Sequence, residues 1–127
     1  MVNKNYNGSK TNKLSNEFNR VIKVALKPDA LMQLKPSEVK NFFGEKSECK
    51  VCKICYDNGA SFKEVKLMLN RKIRGKHKVL AILRGNKNTT LDHLNSIWTV
   101  ILKNVKNVSW GYYFGKGYNN SLYLLTY

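Results

Sequence analysis

The run Val79-Leu80-Ala81-Ile82-Leu83, set between Lys78 and Arg84, constrains the fold more than any other part of this chain. Five consecutive apolar residues bounded by charge are the pattern of a central strand buried on both faces. Around it, residues 78–127 read as strand, loop, helix, strand, turn and strand. Thr89 or Thr90 supplies an N-cap, and Leu91, Leu94, Trp98, Ile101, Leu102 and Val105 recur at helical spacing behind it. Val108 to Phe114 and Ser121 to Tyr127 are aromatic-rich strands, and the Gly- and Asn-rich turn from Gly115 to Asn120 reads as the tip of a closing hairpin.

Upstream, Phe18, Val21, Ile22, Ala25 and Leu26 follow the three-four spacing of a helix from Ser15 to Lys27, and Pro28 ends it. Pro36 opens a second, short helix reaching Phe43, with Val39, Phe42 and Phe43 facing inward. Glu48 to Tyr56 reads as a strand before the turn signal Asp57-Asn58-Gly59. Ser61 and Glu64 form a capping box for a helix whose stripe is Phe62, Val65, Met68, Leu69 and Ile73, ending at Gly75. The order α-α-β-α-β-α-β-β predicts an α/β fold: a two-layer sandwich with a mixed four-stranded sheet (β-α-β-α-β-β) and two N-terminal helices. Residues 15–127 form one domain on this reading, and residues 1–14 a flexible polar and basic arm.

Lys and Arg outnumber Asp and Glu by 23 to 8, a formal charge of +15. The resulting positive potential favours nucleic acid, anionic headgroups or an acidic protein as partner, without choosing among them. Lys63, Lys66, Arg71, Lys72, Arg74, Lys76, Lys78 and Arg84 form the densest basic region and are the candidate anion-binding or nucleic-acid-binding residues. No apolar run approaches the roughly 18 residues of a membrane helix, and no signal-peptide core is present, so a cytoplasmic protein without membrane insertion is expected. Three cysteines, an odd number, fit a reducing compartment.

The segments Val79-Leu80-Ala81-Ile82-Leu83-Arg84-Gly85, Thr90-Leu91-Asp92-His93-Leu94-Asn95 and Asn107-Val108-Ser109-Trp110-Gly111 together resemble the C-terminal domain of FtsZ, the bacterial tubulin-like division GTPase. Leu31-Met32-Gln33-Leu34-Lys35-Pro36-Ser37-Glu38-Val39-Lys40 resembles the loop and helix start that precede that domain, where the family carries Asn-x-Asp-x-x-Asp and then Val-Lys. The resemblance runs over residues 15–127 and implies a domain separate from the GTP-binding one. Gln33 stands where the family has Asn, Lys35 where it has the first acid and Glu38 where it has the second. A lysine cannot polarise water as a base at neutral pH, so Lys35 removes that chemistry, although it can pair with a phosphate as a point charge. No Gly-rich phosphate-binding loop occurs in this sequence. Phe62 to Gly85 is also similar to the C-terminal domain of bacterial initiation factor three, which offers no counterpart for the N-terminal helices or the Gln33 to Lys40 loop.

Other residues invite chemistry but lack partners in the sequence. Cys49, Cys52 and Cys55 are spaced C-x2-C-x2-C, yet on a strand Cys52 points away from the other two, so structural thiols and no metal are expected. His77 and His93 lack a cysteine or acid at ligand or nucleophile spacing and read as surface or boundary residues. The aromatic group Trp110, Tyr112, Phe114, Tyr118, Tyr123 and Tyr127 offers base stacking if it faces solvent and core packing otherwise.

Two functions follow. The first is a non-enzymatic binding protein, without cofactor, that docks on an FtsZ or tubulin-like filament subunit through Gln33, Lys35 and Glu38 and modulates or caps polymerisation. The second is a basic accessory protein of a plasmid, phage or other mobile element that binds DNA or RNA. Homo-oligomerisation is left open by both.

Overall fold

The computed structural model describes residues 14–45, 48–59, 62–117 and 119–127. The expected arm is therefore outside the described residues apart from Leu14, as are Ser61 of the S-x-x-E box and Tyr118. The element order is the one read from the periodicities: α1 (Asn16–Ala25), α2 (Pro36–Phe42), β1 (Lys50–Asp57), α3 (Phe62–Ile73), β2 (Lys78–Gly85), α4 (Leu91–Asn104), β3 (Asn107–Phe114) and β4 (Asn119–Thr126). Two of the expected caps form. The Ser15 hydroxyl accepts from the Phe18 N–H at 3.3 Å, and the Thr90 hydroxyl from the His93 N–H at 3.2 Å.

The four strands form one mixed sheet in the order β1-β4-β2-β3. β4 runs antiparallel to β1, from Lys50↔Thr126 to Asp57↔Asn119, and antiparallel to β2, from Val79↔Thr126 to Arg84↔Ser121. β2 and β3 are parallel. The closing hairpin is thus corrected: β3 and β4 are not neighbours, because β2 lies between them. The physical reason lies in burial. Leu122 to Leu125 are fully buried, as are Val79 to Leu83, so β4 and β2 both need a strand on each side and a helix on each face. β3 is fully buried only at Gly111 and Tyr112 and takes an edge. The chain between them crosses the end of β2, where the Gly115 N–H donates to the Gly85 carbonyl at 2.8 Å.

Helices α3 and α4 cover one face of the sheet, the two layers of the expected sandwich, and the two N-terminal helices add a further layer on the other face. Val65, Leu69, Ile73, Leu94, Ile97 and Ile101 pack there on Ile54, Val79, Leu83 and Leu124. The N-terminal helices cover the opposite face, where Phe18, Val21, Ile22, Ala25, Leu34 and Phe42 meet Val51, Leu80, Ile82, Tyr123 and Leu125. Each large apolar chain so buried contributes about 1.5–3 kcal/mol, which is what holds the ten-residue α1 against the sheet.

Candidate functional site

The connector from α1 to α2 is held by hydrogen bonds at four successive residues, Met32 to Lys35. The Gln33 side-chain amide donates to the Leu26 carbonyl at 2.8 Å, and the Leu34 N–H donates to the Ala25 carbonyl at 2.8 Å. Met32 exchanges two backbone bonds with Tyr112 of β3, at 3.0 and 2.9 Å, so the connector covers the middle of that sheet edge. The Glu38 carboxylate accepts the Lys35 N–H at 3.0 Å, which satisfies a donor at the start of α2. Leu34 is fully buried as a plug, whereas Leu31 is 54% exposed and Lys35 lies at the surface. Beside the connector, Glu38, Asn41, Lys78, Asn107 and Ser109 line a depression of about 330 Å³.

Of the three connector residues named from sequence, two have structural work of their own: Gln33 completes the end of α1, and Glu38 the start of α2. Gly111 explains the Trp-Gly step. A Cβ there would lie 2.9 Å from the Ala25 Cβ and 3.1 Å from the Leu34 Cγ, so only glycine lets the connector settle on β3.

The eight basic residues do not form one patch. Lys78 faces the α2 side, 9% exposed, with its ammonium 2.7 Å from the Asn41 carbonyl, 3.3 Å from that of Phe42 and 3.4 Å from the Glu45 carboxylate. It caps the C-terminus of α2, a favourable place for a cation, and is not available to a surface anion. Arg84 lies on the same face of the sheet, half-buried, and donates to the Ser121 hydroxyl at 3.1 Å. The remaining six stay with α3 but divide between two grooves. Lys63 and Lys66 line a groove of about 320 Å³ between α3 and α4, together with Lys103. Arg71, Lys72, Arg74 and Lys76 line a second, of about 400 Å³, beside β1, together with Lys50. Among the described residues no acid lines either groove. Lys50 and Lys103 were missed in the sequence because each lies far along the chain from the α3 cluster; only folding brings them to it.

The aromatic residues turn inward. Tyr112, Tyr123 and Tyr127 are buried, Trp110 stacks on Trp98 at 5.1 Å, and Phe114 alone among the five described is exposed. With helices on both faces, the sheet offers no stacking platform for bases. Cys49 packs on the α1–α2 side, its thiol pushed up to about 11 by burial, and Cys52 packs on the α3–α4 side. His93 is a boundary residue with a specific setting: its ring stacks on Tyr56, its Nε2 lies 2.5 Å from the Tyr56 hydroxyl, and burial lowers its pKa below the usual 6.5. His77 pairs with Glu45 at 3.0 Å near the surface. No helix among the described residues is long and apolar enough to cross a membrane.

This architecture defines a class. The fold is that of the C-terminal domain of FtsZ and its tubulin-like relatives, a domain that lacks the GTP-binding site. In particular, an FtsZ mutant from M. jannaschii superposes with a TM-score of 0.70 at 15% identity, over 87% of this chain and 36% of its own. An empty FtsZ dimer from the same organism gives 0.65 at 16% identity, over 92% and 41%. CetZ2 from Haloferax volcanii, in a GTPγS-bound protofilament, gives 0.60 at 11% identity, over 87% and 37%. The chain therefore spans about two fifths or less of the length of these structures. No protein-family model matches the sequence, and no curated protein matches it.

Proposed function

We propose that this protein is a non-catalytic binding domain that docks on a tubulin-like filament subunit through the α1–α2 connector and modulates or caps polymerisation. The observation that carries the reading is the connector itself: a segment tied down by hydrogen bonds at Met32, Gln33, Leu34 and Lys35 that presents Leu31 and Lys35 outward while Leu34 holds it to the core. A surface fixed in advance binds without the ordering cost that a mobile loop would meet. The fold supports it, since its solved relatives include an FtsZ dimer and a CetZ2 protofilament. Lys35 supplies a cation where a hydrolytic loop needs an acid, so contact with a subunit would not advance nucleotide hydrolysis.

The test is sedimentation and GTPase measurement of the FtsZ or CetZ encoded in the same genome, with and without this protein. Pelleted polymer and GTP turnover should both fall, and Leu31→Asp should abolish the effect. No change at stoichiometric excess would sink the reading. A second reading, nucleic-acid binding in a mobile element, is favoured by the groove of Lys63, Lys66 and Lys103, free of acids among the described residues. It requires an affinity for DNA or RNA that falls steeply with salt, because phosphate contacts release counterions.

A further inference from the structure

β1 forms the second edge of the sheet, and it is built differently from β3. Met32 bridges the middle of β3, whereas among the described residues β1 pairs with β4 alone. The direction of its backbone groups follows from the far side of β4. The Tyr127 N–H donates to the Lys78 carbonyl and the Tyr127 carbonyl accepts from the His77 N–H, both at 3.0 Å, so Tyr127 points toward β2. Alternation along an antiparallel strand then turns Tyr123 and Leu125 toward β2 as well, and Leu122, Leu124 and Thr126 toward β1. Through the register, Lys50, Cys52 and Ile54 are the hydrogen-bonded partners of Thr126, Leu124 and Leu122. The N–H and C=O groups of Val51, Lys53, Cys55 and Asp57 therefore point outward from the sheet. This edge carries no proline, and its register from Lys50 to Asp57 is uninterrupted by a bulge.

Beside this edge lies the groove of about 400 Å³ described above, with Lys50, Arg71, Lys72, Arg74 and Lys76 around a floor that includes Val51, Cys52 and Leu124. The charge is not uniform along the strand. At its other end Asp57 and Glu64 line a separate hollow with Tyr56 and Met68. We propose that the open edge of β1 takes an extended segment of a partner protein as a fifth strand, with acidic side chains at the end of that segment lying over Lys50, Arg71 and Lys72. The added strand pairs with the outward groups of Val51, Lys53 and Cys55, while its acids meet the cations of the groove. A nucleic acid fits less well: none of the described residues lining the groove is aromatic, so bases find no stacking partner among them, and the outward amides and carbonyls of the edge go unused. This surface is separate from the α1–α2 connector and stands or falls without it.

The probe is a fluorescein-labelled extended peptide, about eight residues long to match β1, with Val alternating with Glu in one half and with Thr in the other, titrated by anisotropy against the whole chain. A single-stranded oligonucleotide of similar charge serves as comparison. Binding of the peptide should raise amide protection at Val51, Lys53 and Cys55, and the double variant Arg71→Glu, Lys72→Glu should lower its affinity about tenfold or more. Cys55→Pro removes an outward N–H without touching the β1–β4 ladder, so it should weaken the peptide and leave the thermal midpoint close to that of the parent. The proposal is overturned if the peptide does not bind, or if it binds with no new protection along β1. Tighter binding of the oligonucleotide, unaffected by Cys55→Pro, would instead make the groove a phosphate site and equally overturn it.

Discussion

Replacing Gly111 by alanine tests how the connector is seated. The new Cβ would lie 2.9 Å from the Ala25 Cβ, 3.1 Å from the Leu34 Cγ and 3.4 Å from the Met32 carbonyl oxygen, against an optimum of about 3.5–4.0 Å between carbons. Ala25 and Leu34 are fully buried, so neither can turn aside into solvent. Overpacking of this kind costs about 1–3 kcal/mol, and alanine regains about 0.5–1 kcal/mol over glycine in a strand, leaving a net loss of about 1.3 kcal/mol at the centres of these ranges. For a chain of this size that lowers the thermal midpoint by roughly 3–10 °C. The strain should be relieved by lifting the connector, so hydrogen exchange should accelerate at the Met32 and Tyr112 amides, which bond across the bridge. A cycle with Ala25→Gly, which deletes the nearest clashing atom, should show a coupling of about 0.5 kcal/mol or more. A Gly111→Ala protein as stable as its parent, with unchanged protection at Met32 and Tyr112, would refute the seating argument.

Lys78→Met should lower stability by about 1–3 kcal/mol in urea titration, because the carbonyls of Asn41 and Phe42 and the carboxylate of Glu45 lose a buried donor. The same change should leave affinity for any polyanion unaltered. Burial holds the folded-state pKa of His93 below 6.5, so between that folded value and 6.5 the unfolded chain binds more protons, and stability is lost as pH falls through this window. His93→Phe, which keeps a ring against Tyr56 and Phe62, should flatten that acid-side decline when midpoints are compared from pH 7 to pH 5. With iodoacetamide under native conditions, Cys55 should react first, since it is exposed while Cys49 and Cys52 are buried and the Cys49 thiol is raised to about 11. Mass spectrometry of the labelled peptides would reveal any other order.

The eight elements were legible because periodicity is a local property. Val79 to Leu83 announce a strand buried on both faces, and the stripe from Leu91 to Val105 a helix with one apolar side, wherever in the molecule they fall. The departures from the FtsZ loop at Gln33 and Lys35 were visible for the same reason. The sheet order was not legible, because adjacency of β3 and β4 in the chain favours a hairpin, and only competition among all strands for interior places moves β4 between β1 and β2. The basic cluster was misread in part through the same limit.

Sequence alone thus determined which residues form helices and strands and how strongly the chain attracts anions, since these depend on residue type and on spacing within one element; it placed most of each apolar face as well, but Met68, Leu91 and Leu102 of the expected stripes lie exposed. Tertiary structure decided what those charges do. Lys78 becomes a buried cap for α2, Arg84 binds Ser121, and Lys50 and Lys103 join grooves whose other members lie some distance along the chain. It also decided which strand edge is covered by Met32 and which, among the described residues, pairs on one side only. Neighbour relations across a sheet are set by burying all the apolar faces at once, and no single segment carries that information.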